Sequence, residues 1–162
     1  MSRWEIRVAI VIAGLIAGIA PISAHSAEPK SGFATALLET LPVKGRAPKT
    51  GYSRAQFGQP WSDVDRNGCD TRNDILKRDL TSIVYRIKTR DCVVESGVLA
   101  DRYSGETIYF EKGNGTSMEV QIDHVVALSN AWQTGAFKLT LQERTALAND
   151  PLNLFAVKGR LN

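Results

Sequence analysis

The sequence predicts an α+β domain in which short helices surround a small antiparallel sheet. Three observations lead there. Ser82–Thr89 is rich in Ile, Val and Tyr, Cys92–Leu99 reads as a second strand, and Thr107–Phe110 follows a turn at Arg102-Tyr103-Ser104-Gly105, the pattern of consecutive antiparallel strands. Two capping-box patterns, Thr71 with Asp74 and Thr140 with Glu143, open stretches of helical spacing. About 135 residues follow a removable leader, enough for one domain with its own core.

Met1–Ala27 reads as that leader. Arg3 and Arg7 precede an uncharged run of 13 residues, Val8–Ala20, too short to span a bilayer comfortably. Small residues at Ala24, Ser26 and Ala27 suit cleavage. The expectation is a protein secreted or held in the cell envelope, with no stable membrane association after cleavage. No protein partner is implied. Removing Arg3, Arg7 and Glu5 takes the 20 basic and 17 acidic residues to 18 and 16, a net charge of +2. That permits nucleic-acid binding without arguing for it.

Residues 28–162 are expected to form the single domain. Phe33, Leu37, Leu38 and Leu41 recur at helical spacing, so Gly32–Leu41 is expected as a short helix stopped by Pro42. Val43–Gly58 reads as an ordered loop with four basic residues, Lys44, Arg46, Lys49 and Arg54, able to touch a phosphate backbone or simply to face solvent. Phe57–Asp70 is rich in turn formers. Its Asp63, Asp65 and Asn67 match half of a calcium loop, but the closing bidentate Glu is missing. Solvated turn residues are the better reading, with a calcium-stabilised structural protein as an alternative.

Cys69 and Cys92 form an even pair in an exported chain and read as one disulfide. Two Cys without a nearby His make a poor zinc site, and there is no C-x-x-C for redox work. Thr71–Leu80 is expected as a helix that begins beside this bridge, with Asp70 and Arg72 at its start.

The chemistry points to the last third. Val120–Val126 reads as a strand, Leu128–Trp132 and Leu141–Ala148 as helices, and Leu152–Val157 as a second strand. Asp123-His124 lies inside the apolar run of the first strand, where a charge costs several kcal/mol unless paired or metal-bound. His124 is the only histidine after residue 27, so any imidazole base must be His124. The competing reading is a core histidine paired with Asp123. Alternation sends these two side chains to opposite faces, so a bulge or a strand end is required for them to share a site.

Asp-His on one strand, Asn153-Leu154 on the next and Asn162 at a helix start resemble the ββα-metal core of HNH endonucleases. The longer set, NGCDTRNDIL with VQIDHVVALSNAW, ANDPLNLFAV and GRLN, is similar to secreted bacterial HNH-family proteins related to the C-terminal domain of GmrSD-type restriction enzymes. The resemblance runs from about Leu41 to Asn162, with the finger at about 119–162. It implies a C-terminal ββα finger that here lacks most of its closing helix. His124 would be the general base, Asp123 and Asn162 the ligands of a divalent metal, magnesium or else manganese, and Asn153 a brace within the finger. Arg72 would hold a phosphate with Asp70 in support, unless the two only fix the helix end.

The implied activity is metal-dependent hydrolysis of DNA phosphodiesters with little sequence preference, RNA being the other possible substrate. A module of the same fold that binds nucleic acid but is impaired in catalysis is the alternative. In the resembling family the helix continues past Asn162. The expectation is an incomplete sequence, or else a clipped protein that binds metal and cuts more weakly than an extended one.

Overall fold

A computed structural model describes residues 31–162, and the leader expected at 1–27 lies outside them. The described chain divides at Pro42. In the first unit, α1 spans Ser31–Glu39, and the Thr40 hydroxyl donates to the Leu37 carbonyl at its end. The second unit, Val43–Asn162, contains everything that follows. No helix among the described residues is long and apolar enough to cross a membrane.

The second unit is α+β. It contains α2 (Thr71–Asp79), β1 (Leu80–Tyr85), β2 (Val94–Ala100), β3 (Thr107–Glu111), β4 (Val120–His124), α3 (Leu128–Thr134), α4 (Leu141–Ala148) and β5 (Leu154–Lys158). The strands form two antiparallel sheets, β1-β2-β3 and the hairpin-like pair β4-β5. Short 3₁₀ turns, one of them at Arg54–Phe57, fill the connections.

One apolar cluster joins the sheets. Ile75 and Leu76 of α2 pack with Leu80, Val94, Leu99 and Phe110 of the large sheet and with Val120, Ile122, Leu154 and Ala156 of the small one. A second cluster of Phe57, Leu128, Ala131, Trp132, Ala136 and Ala148 fastens the Arg54–Phe57 turn to α3 and α4. The small pair therefore packs into the first cluster, while the second holds α3 and α4, the helices that follow His124 in the chain.

Several boundaries differ from the sequence expectation. The α2 cap is Asp70, whose carboxylate accepts from the Asn73 N–H at 2.8 Å, and not a Thr71–Asp74 box. The Thr71 hydroxyl instead donates to the Ser62 carbonyl, nine residues back, so it is unavailable to cap. α2 passes into β1 at Leu80 without a loop, and β1 ends at Tyr85 rather than running to Thr89. Its pairing with β2 shifts register after Thr81, beside Ser82 at φ 50°, which shortens the regular strand. β4 ends at His124 because Val125 and Val126 are taken up by Asn153. The Thr140–Glu143 box forms in both directions and opens α4. Cys69 and Cys92 are bonded, with Cα atoms 5.0 Å apart, and staple the loop before α2 to the chain entering β2.

Candidate nuclease site

β4 and β5 pair without a register shift from Val120–Lys158 to His124–Leu154. Val120 and Ile122 point into the core, so alternation sends Gln121 and Asp123 to the opposite face. No bulge resolves the conflict between Asp123 and His124. The strand's end does: His124 is the last residue of β4, and both side chains line one cleft of about 140 Å³ with Tyr52, Arg54, Leu128 and Asn162.

The turn after His124 is shaped by Asn153. The Val126 N–H donates to Asn153 Oδ1 (2.7 Å), Asn153 Nδ2 donates to the Val126 carbonyl (3.2 Å), and the Val125 N–H donates to the Asn153 carbonyl (3.0 Å). Asn153 is 9% exposed, so its amide is satisfied by these bonds although Val125 and Val126 themselves face solvent. One buried amide thus fixes where β4 stops and where α3 starts.

His124 is held on two sides. Its Nε2 lies 2.9 Å from the Ala148 carbonyl at the end of α4, and its ring stacks on Trp61 at 6.3 Å and 19°. A carbonyl only accepts, so Nε2 carries the proton and the neutral ring keeps its lone pair on Nδ1. Burial pushes the imidazole below its ordinary value. The bond to the Ala148 carbonyl pulls it up, Arg54 adds to the depression, and Asp123 opposes it. The net result favours neutral imidazole at pH 7.

Asp123 Oδ2 accepts from the Tyr103 hydroxyl at 2.8 Å, which leaves Oδ1 uncommitted. That bond raises the Tyr103 phenol above its usual value and keeps it a donor. Asn162 donates through Nδ2 to Gln121 Oε1 (3.0 Å) and, at the limit of a hydrogen bond, to the Ile122 carbonyl (3.5 Å), so its Oδ1 is also uncommitted. Asp123, Asn162 and His124 all line this one cleft.

Arg72 and Asp70 do not join them. Arg72 donates to the Val120 carbonyl at 3.0 Å, at the other end of β4, and its burial lowers its pKa against the raising effect of Asp70. Asp70 is occupied by the α2 cap and by Asn73 Nδ2 at 2.8 Å. Arg72 therefore braces the start of β4, and Asp70 the start of α2. The arginine on the cleft is Arg54, which is exposed and enters no hydrogen bond or ion pair through its side chain. Its turn is mounted firmly, because Arg144 Nε of α4 donates to the Gln56 carbonyl at 2.6 Å.

Sequence reasoning named Arg54 only as one of four basic residues and missed Trp61, Tyr103 and the Ala148 carbonyl. Each lies 20 or more residues from the group it touches, beyond the reach of periodicity.

Among the described residues no group of three or more His, Cys, Asp or Glu is placed to hold a metal. The cleft instead offers one carboxylate oxygen and one amide oxygen, hard donors in the small number that suits a magnesium ion keeping most of its waters.

The comparison with known families falls on this same hairpin and its supports, and it places the chain among nuclease-like domains. The family model described as the C-terminal domain of GmrSD restriction endonucleases matches residues 70–162. The chain belongs to that family. It is also similar to an uncharacterized secreted protein of Arthroderma benhamiae, 35% identical over 150 residues that cover 91% of this chain and 68% of the relative. No solved structure matches.

Proposed function

We propose that this protein is an exported HNH-type endonuclease that hydrolyses phosphodiester bonds, with DNA as its substrate and little sequence preference. One observation carries the reading: a neutral histidine, tied through Nε2 and open at Nδ1, shares a cleft with the uncommitted oxygens of Asp123 and Asn162.

In this reading His124 Nδ1 takes a proton from a water molecule in the cleft. The water oxygen bonds to phosphorus as one phosphorus–oxygen ester bond breaks, the leaving alkoxide takes a proton from solvent water, and His124 returns its proton to solvent. The Ala148 carbonyl prevents the ring from turning and stabilises the proton it already holds on Nε2. Trp61 fixes the ring plane. Arg54 presents unpaired donors to the phosphate, and its positive charge discourages protonation of the base before reaction. Asp123 and Asn162 would hold a divalent cation, magnesium or manganese, which supplies charge neutralisation to the phosphate when bound. Arg72, bonded at the start of β4, has a supporting role and no direct part.

Little sequence preference is expected because α3 and α4 carry a single basic residue, Arg144, and the two arginines of α2 are bonded to the carbonyls of Val120, Pro151 and Leu154. Export rests on the leader expected at 1–27 and on the secreted relative.

The test is cleavage of supercoiled plasmid and of a single-stranded RNA by the full chain freed of its leader, with magnesium or manganese. Loss of plasmid cleavage both in chelator and in His124→Ala supports the reading. Binding of plasmid with no cleavage under any divalent cation refutes it in favour of a binding module, and cleavage of RNA alone refutes the assignment to DNA.

A further inference from the structure

We infer that Tyr103 is a positioning residue that orients Asp123 for a divalent cation, and that the turn carrying it belongs to the site. The inference rests on the reading of Asp123 as a cation ligand. It begins from the 2.8 Å bond between the Tyr103 hydroxyl and Asp123 Oδ2.

Tyr103 is 49% exposed, so burial does not oblige its hydroxyl to find a protein partner. Water could satisfy it. The hydroxyl reaches Asp123 because the turn Asp101–Glu106 is docked on the small sheet. Asp101, 2% exposed, closes the turn through Oδ2, which accepts from the Ser104 N–H (2.7 Å) and hydroxyl (2.6 Å). Its other oxygen accepts from the Lys158 N–H of β5 at 2.9 Å. The Lys158 ammonium pairs with Glu106 at 2.5 Å, and the Arg102 guanidinium lies 4.3 Å over the Phe155 ring, also on β5. Phe155 is the residue that pairs with Asp123 across the sheet. Three contacts thus fasten the turn to β5, and the fourth, from Tyr103, crosses to β4.

The consequence is local and chemical. A carboxylate on an exposed strand face rotates freely, and its ordering must be met from the energy of binding a cation. With Oδ2 anchored, Asp123 presents Oδ1 alone, at a fixed angle, on the cleft that also holds Asn162. An outer hydrogen bond of this kind orients a ligand and tunes its basicity, and losing one costs typically about 10-fold or more in cation affinity.

The experiment uses manganese as the probe and the full chain freed of its leader. Free manganese is followed by electron paramagnetic resonance without nucleic acid for wild type, Tyr103→Phe and Asp123→Ala. Plasmid cleavage is then measured against manganese concentration, and melting curves report folding. Tyr103→Phe keeps the ring and its half-exposed packing. The expected result is roughly 10-fold weaker manganese binding in Tyr103→Phe, a matching rise in the manganese needed for half-maximal cleavage, and a nearly unchanged rate at saturation. Wild-type affinity in Tyr103→Phe, with binding lost in Asp123→Ala, overturns this inference and leaves the cation reading standing. A lower saturating rate at unchanged affinity also overturns it. Binding and cleavage in Asp123→Ala equal to wild type refute the cation reading itself, and the role of Tyr103 with it.

Discussion

Two places among the described residues crowd acidic and amide side chains together, and they differ in how many of those oxygens already accept a hydrogen bond. In the Asp63–Gly68 loop every side-chain oxygen is spent. Asp63 accepts from the Asn67 and Gly68 N–H groups at 3.1 and 2.9 Å. Asp65 accepts from the Asn67 backbone and side chain at 3.2 and 3.0 Å, and Asn67 Oδ1 accepts from the Cys69 N–H at 2.7 Å. Such a loop has folded its own backbone into the place of a cation. At the end of β4, Asp123 and Asn162 each keep one oxygen uncommitted, and both oxygens belong to residues of one cleft beside a neutral imidazole. Residue types that ligate metals therefore do not make a site. On the proposed reading the cation sits where lone pairs are uncommitted.

The largest effect should come from removing the imidazole. His124→Ala is expected to lower plasmid cleavage by about 10²- to 10⁴-fold, the range for a lost general base, with little change in DNA retention on a gel. Chelator should reproduce the loss. A retained rate in the variant would remove the contrast between the two regions, because the hairpin would then be as inert as the loop.

Next in size is the staple beside the loop. Replacing Cys69 and Cys92 by Ser opens a 23-residue separation, and the loop-entropy model assigns such a bridge roughly 3 kcal/mol. For a unit of this size that corresponds to a fall in melting temperature of roughly 10 °C, read by circular dichroism. The reduced protein should still contain the β4–β5 pair, whose core contacts do not pass through the bridge. An unchanged melting temperature would mean that the self-satisfied loop holds α2 without the disulfide.

Asn153→Ala acts on the hairpin side. It leaves the Val126 N–H and carbonyl without their partner in a part-buried setting, a loss of about 1–2 kcal/mol. Because the turn after His124 is built on those bonds, cleavage should fall more than stability predicts at temperatures where the variant is fully folded. A rate loss that merely tracks the unfolded fraction would show that the turn is not part of what places His124.

How much of this was readable in the sequence depends on the range of the interaction. The Thr140–Glu143 box spans three residues and the β2–β3 turn spans a few, so local rules suffice for both. Asp123 and His124 stood out because they interrupt an apolar run, whereas Asn153 and Asn162 gained their roles from the family resemblance. The supporting groups were opaque. Trp61 reaches His124 over 63 positions, Tyr103 reaches Asp123 over 20, and neither position is anomalous in its own segment. Arg72 misled for the opposite reason. A guanidinium beside a cysteine at a helix start invites a phosphate, yet here it donates to the Val120 carbonyl 48 residues away. Thr71 misled similarly, since a better cap stood one residue earlier in Asp70.

The smallest expected effect lies in the loop, and it is the sharpest test of the comparison. If Asp63, Asp65 and Asn67 are satisfied by their own backbone, millimolar calcium should leave the melting temperature unchanged, and Asp63→Asn should leave plasmid cleavage unchanged. Asparagine keeps one acceptor for the Asn67 or Gly68 N–H, and the side chain is exposed, so the loop has a ready substitute in water. Burial is the largest single influence on the Asp63 carboxyl and raises it, but the hydrogen bonds it accepts, led by the Gly68 N–H, together outweigh burial and hold it below its ordinary value. By linkage, its contribution is present above the ordinary carboxylate pKa and is lost as pH falls through the lowered one. Wild type and Asp63→Asn should thus differ, if at all, near neutrality, and converge in acid. A calcium-dependent rise in melting temperature that survives Asp123→Ala but vanishes in Asp63→Asn would reverse the assignment of the two regions, because an occupied loop cannot be one whose oxygens are already spent.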